Sequence, residues 1–91
     1  MTPELTRAAR AWLNWSQRDL ADSANISRSA VYQFEIGRHI PHRATLTALR
    51  MALEQGGVRF LIIDELVVGI IRADVEFGSF TGQRVKLPGR I

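Results

Sequence analysis

Four residues between Ser27 and Phe34 could do chemistry together. In the run S-R-S-A-V-Y-Q-F, a helical advance of about 100° per residue puts Arg28, Ser29, Tyr32 and Gln33 within one arc of roughly 140°. Ala30, Val31 and Phe34 fill the opposite arc, so one face is apolar and the other offers a guanidinium, a hydroxyl, a phenol and an amide. These groups match base edges: Arg pairs with guanine, Gln with adenine, and a small hydroxyl with either. Tyr32 has an equal second reading, with its ring packed against the preceding helix, and a Gln33 contact is as consistent with a bridging water as with a direct bond. Just beyond, Arg38-His39-Ile40-Pro41-His42-Arg43 is basic and contains no acid. Such a loop suits phosphate neutralisation, which adds affinity without reading sequence.

Other chemistries find little to work with. The chain has no cysteine, and His39 and His42 have no carboxylate at a ligand spacing, so neither a metal nor a cofactor is expected. No Ser/His/Asp set, paired carboxylates in an apolar setting or Gly-rich phosphate loop appears, and the expectation is a protein that is not an enzyme. Ninety-one residues is a length for one modest core. A hydrophobic content of 46% with 23% charged residues is that of a globular chain. The net charge is +3 and Lys86 is the only lysine, so the positive charge is nearly all guanidinium, the group best shaped for phosphate and guanine. Thr2-Pro3-Glu4 lacks the basic start of a signal peptide. The most apolar run, Phe60 to Ile71, is broken by Asp64-Glu65 and is shorter than the ~20 residues a span needs. A cytoplasmic, nucleoid-associated protein with no membrane partner is expected.

The elements that must position the polar face follow from caps and periodicity. Thr2-Pro3-Glu4 starts a first helix, with Leu5, Ala8, Ala9, Trp12 and Leu13 as its inward stripe and Asn14 as its left-handed end. Trp12 and Trp15 read as core and cover residues. Ser16 and Asp19 form a shortened capping box for a two-turn second helix that buries Leu20, Ala21 and Ala24. Asn25 closes that helix, Ile26 plugs the core and Ser27 caps the polar-faced third helix, which Gly37 ends. A fourth helix is predicted over Thr45 to Gln55, with Leu46, Leu49 and Leu53 inward and an external Arg50–Glu54 pair.

From Ser16 to Glu35 the sequence resembles the phage-repressor (Cro/Xre-type) helix-turn-helix family. Counted from Gln17, the family's small residue falls on Ala21 and its turn residue on Asn25, where Gly is commoner. Its apolar places fall on Leu20, Ala24, Ile26, Val31 and Phe34. Gln17, Glu35 and Gly37 match further features, and the resemblance spans about Thr6 to Phe60. It implies a mainly α fold: a four-helix, lambda-repressor-like helix-turn-helix domain over residues 1–57, followed by a short C-terminal β extension over 58–91. It implies a sequence-specific regulator of transcription, read as a repressor, that inserts helix 28–35 into the major groove of double-stranded DNA. Base contact is thereby carried to Arg28, Ser29, Tyr32 and Gln33, and phosphate contact to Gln17, Ser27, Arg38, His39 and Arg43. The resemblance also implies a structural ion pair between Arg10 and Glu35.

After Gly57 the period changes. Val58–Ile63 and Leu66–Ile71 read as short strands, Val75–Phe77 and Arg84–Leu87 as further strand, and a helix over Asp64–Ala73 is the competing reading. The strands have two readings, an intramolecular sheet that completes the core and, as the leading expectation, a homodimer on two-fold half-sites about one turn (~34 Å) apart, with Val67, Val68, Ile70 and Ile71 at its interface. The alternative is an antitoxin-like protein whose C-terminal strands bind a toxin while the same motif represses its operon. Arg84, Lys86 and Arg90 form a tail without acid, free or tracking DNA.

Overall fold

A computed structural model describes residues 1–72. Its elements are α1 (Pro3–Leu13), α2 (Gln17–Ala24), α3 (Arg28–Glu35), α4 (Arg43–Gly56), β1 (Val58–Ile63) and β2 (Leu66–Arg72). The expected segments at Val75–Phe77 and Arg84–Leu87, and the basic tail, lie outside the described residues.

Each helix ends where its capping chemistry dictates. Thr2 accepts the Leu5 amide and Asn14 takes the left-handed conformation at φ 59°. The Ser16 hydroxyl accepts the Asp19 amide at 3.0 Å while the Asp19 carboxylate accepts the Ser16 amide at 2.8 Å, a complete capping box. Helices this short are marginal alone, so their packing holds them. Leu20, Ala21 and Ala24 from α2, Val31 and Phe34 from α3, and Leu49, Ala52 and Leu53 from α4 form the shared core with Ala9. The alanines let the helices approach closely. α4 begins at Arg43, two residues before the expected Thr45, with His42 as a cap that makes no side-chain hydrogen bond.

α1 sits differently from its expected stripe. Trp12 is 53% exposed and Ala8 is exposed, whereas Thr6 is fully buried. The helix is rolled toward its Arg10 side, so that Thr6, Ala9 and Leu13 point inward and Arg10 is half-buried. A hydroxyl tolerates this because Thr6 donates to the Thr2 carbonyl at 3.0 Å. Trp15 packs against the core, and its ring lies where a Cβ on Gly56 would come within 2.6 Å, so only glycine fits there without movement. The expected Arg50–Glu54 pair does not form: Arg10–Glu35 is the one ion pair among the described residues, and Arg50 Nε is buried without a partner there.

β1 and β2 form an antiparallel hairpin. The turn residues Asp64 and Glu65 both have positive φ, 51° and 67°, the requirement of the two-residue turn that matches strand twist. The helical reading from Asp64 is thereby overturned through Arg72, because β2 pairs along its length with β1. Pairing runs Val58–Arg72 to Leu61–Gly69, then shifts to Ile62–Val67 and Ile63–Leu66, so Val68 is the extra residue of a bulge. Val58 and Phe60 are buried in the helical core, with Val67 and Ile70 packed against it. The hairpin therefore completes the core of the helices, as a two-stranded ribbon must to be stable.

Candidate nucleic-acid interface

The α2–α3 pair is built from its turn outward. Asn25 adopts φ 59°, which reverses the chain after α2, and the Ile26 amide donates to the Ala21 carbonyl at 3.0 Å. Ile26 is thereby carried against the core. The Ser27 hydroxyl then accepts the Ala30 amide at 3.0 Å and opens α3. At its other end α3 closes with Arg38 N–H donating to the Gln33 carbonyl and Gly37 N–H to the Phe34 carbonyl, both 2.9 Å. Gly37 has φ +80°, which a residue with a Cβ rarely adopts.

Between these caps the helix has two unlike faces. Val31, Phe34 and Glu35 are buried. Arg28, Ser29 and Tyr32 are exposed, and Gln33 is half-buried beside them. Tyr32 is 47% exposed, so about half of the residue faces solvent and the rest is covered. Around this face the structure leaves Ser27, Arg38, His39 and Arg43 exposed, with Arg38 and His39 in the α3–α4 loop and Arg43 opening α4. Ser27 already accepts a backbone N–H, and its hydroxyl proton remains able to donate.

The position of α3 is fixed by a polar knot at Glu35, whose side chain is 1% exposed. Arg10 Nε donates to Oε2 and Nη2 to Oε1, both at 2.8 Å, and Arg10 Nη1 donates to the Trp15 carbonyl at 2.9 Å. This is the bidentate geometry in which guanidinium–carboxylate pairs are strongest. The hydrogen bonds to Glu35, reinforced by its charge, raise the Arg10 pKa above its ordinary value against the opposing effect of burial. Gln17 also belongs here: its amide donates to Glu35 Oε1 at 3.1 Å, which leaves its second N–H for any phosphate.

One contact of this knot escapes a reading of the sequence. Arg7 Nη1 donates to the backbone carbonyl of Glu35. Arg7 marks itself in sequence only as a charge breaking an apolar stripe three residues before Arg10. At the far end, Val67 and Ile70 turn toward the chain's own core, whereas Val68 is 49% exposed and Ile71 half-buried. Ile62, Ile63 and Leu66 are exposed near the same turn. Among the described residues no group of side chains could hold a metal ion, and no helix is long and apolar enough to cross a membrane.

Comparison with curated proteins finds no match. A family model described as helix-turn-helix matches residues 7–55, more than half of the chain, running from within α1 through α2 and α3 to the last turn of α4. With a capped two-helix motif, a polar outer face on the second helix and that match, the chain belongs to the Cro/C1-type helix-turn-helix family of DNA-binding transcription regulators.

Proposed function

We propose that this protein is a sequence-specific repressor that lays α3 in the major groove of double-stranded DNA. The observation that carries this reading is the division of α3. Its inner residues Val31, Phe34 and Glu35 are locked into the core, while Arg28, Ser29 and Tyr32 are exposed. Arg28 opens the helix, and the N-terminal residues of such helices meet base edges. Gln33 supplies an amide at the edge of the same face. Phosphate contacts then come from Gln17 at the start of α2, Ser27, Arg38 and His39 around the ends of α3, and Arg43 at the start of α4. A binding role without catalysis suits this surface, because each polar group on it is one that recognises nucleic acid.

Two copies on two-fold half-sites fit the family and the hairpin. With Val67 and Ile70 turned inward, the interface would rest on Val68 and Ile71 together with Ile63 and Leu66. The same exposed apolar residues favour a second reading, an antitoxin-like protein that holds a toxin on this hairpin and represses its own operon. Selection of binding sites from random duplexes with the full chain tests the first reading. An enriched inverted repeat with half-sites about 10 base pairs apart supports it. Recovery of no sequence preference at low salt refutes it. Isolation of the chain in a stable complex with a second small protein would favour the antitoxin reading.

A further inference from the structure

The last turn of a helix leaves carbonyls without intrahelical donors, and each needs a partner. At the end of α3 most are accounted for by backbone: Tyr32 accepts from Ile36, Gln33 from Arg38 and His39, and Phe34 from Gly37. The Glu35 carbonyl receives none of these amides; its donor is Arg7 Nη1, reaching from α1. Arg10, three residues on and therefore on a neighbouring part of the same helix, grips the Glu35 carboxylate through Nε and Nη2. α1 thus holds one residue at two separate points, backbone and side chain. The grip on the carboxylate reaches the helix only through a side chain, whereas the grip on the carbonyl acts on the backbone itself, beyond what the packing of Val31 and Phe34 already fixes. A cation at this end also meets the negative pole of the α3 dipole.

We propose that Arg7 is a positioning residue for DNA recognition: with Arg10 it forms a two-point clamp that sets the angle at which α3 enters the groove. The proposal rests on the reading of α3 as the recognition helix. It makes Arg7 neither a base contact nor a phosphate contact; Arg7 is exposed, as is Arg59 on β1, and what sets Arg7 apart is its bond to the Glu35 carbonyl.

The test uses the full chain, with Arg7→Ala, Arg7→Lys and the charge control Arg59→Ala. In the DNA-free protein the backbone carbonyl carbon of Glu35 is followed by NMR. On DNA, affinity for the selected site and for a scrambled duplex is measured across a salt series. The clamp predicts that Arg7→Ala moves the Glu35 carbonyl resonance and lowers affinity for the selected site about threefold to tenfold, the net scale of one hydrogen bond made by an exposed side chain. Affinity for the scrambled duplex and the salt slope stay those of Arg59→Ala, and Arg7→Lys, which keeps a cation and a donor, recovers part of the loss. An unmoved Glu35 resonance overturns the proposal. So does an equal loss on both duplexes with a salt slope shallower by about one, the mark of a phosphate contact. If the unmodified chain binds no duplex at all, the repressor reading fails on its own and the proposal with it, while the carbonyl resonance still reports whether the contact exists.

Discussion

Replacing Glu35 with alanine should be the most damaging single change on the DNA-binding half. Glu35 is 1% exposed and accepts three side-chain hydrogen bonds, two from Arg10 and one from Gln17. Its removal strands a guanidinium that is itself only 19% exposed. Breaking such a pair from one side costs ~3–5 kcal/mol, since the surviving charge keeps its desolvation without its partner. Arg10 retains its bond to the Trp15 carbonyl, so the lower end, about 3 kcal/mol, is expected. For a domain of this size that corresponds to a fall in Tm of roughly 12–24 °C. Thermal unfolding by circular dichroism measures it, with Arg50→Ala as comparison, because Arg50 makes no ion pair and its Nε already lacks a partner among the described residues. The pH dependence has a definite sign. The Arg10 pKa is raised in the folded state, so its contribution is complete below the ordinary guanidinium value and is lost only as pH rises through the higher folded-state value. The difference between Glu35→Ala and the unmodified chain should therefore receive no pH dependence from Arg10 between pH 6 and 9. Equal melting of Glu35→Ala and Arg50→Ala would refute the reasoning, for it would mean that the pair stabilises no more than an unpaired arginine.

Four further outcomes follow from particular contacts. Arg28→Ala should cost ~1–3 kcal/mol at one base position and relax preference there, as read from a binding-site selection; an unchanged preference removes Arg28 from the base contacts. Arg43→Ala should weaken binding to all duplexes alike and flatten the dependence of log K on log salt by about one, measured by fluorescence anisotropy. Gly56→Ala puts a Cβ 2.6 Å from the Trp15 ring and 2.9 Å from Leu13, so overpacking should destabilise by ~1–3 kcal/mol and shift tryptophan emission. Glu65→Gly relieves a left-handed non-glycine residue at φ 67° and should stabilise by about 1 kcal/mol in urea unfolding.

The sequence is most legible where a single local rule decides. Ser16 with Asp19, Asn25, Ser27 and Gly37 mark the boundaries of α2 and α3 because capping and left-handed turns are properties of a few adjacent residues. The split of α3 into two faces is legible for the same reason. The roll of α1 is not, since it is settled by Arg10 reaching a carboxylate twenty-five positions away, and that long-range bond outranks the local apolar stripe that would have buried Trp12. Thr6 defeats a hydropathy reading by satisfying its own hydroxyl at Thr2. The helix-or-strand ambiguity after Gly57 arises because continuous apolar runs carry no clear period. The deciding elements are the Asp64-Glu65 turn and the place that Val58 and Phe60 find in the helical core.

Recognition and stability are carried by different atoms of one short helix. α3 has eight residues, too few to persist alone, and its exposed residues Arg28, Ser29 and Tyr32 contribute little to holding it. Ser27 fixes where it starts, Val31 and Phe34 fix which face is inward, and Glu35, held through its carboxylate and its carbonyl, fixes where it stops. A helix defined at both ends and along one face has little freedom left in rotation or tilt. The remaining face can change its side chains, and hence its preferred bases, without disturbing the geometry that presents them. The burial of a charged residue at the end of α3 is then intelligible. An apolar residue would fill the space but would accept no hydrogen bonds, and only a carboxylate lets α1 and α2 hold the same point from two directions.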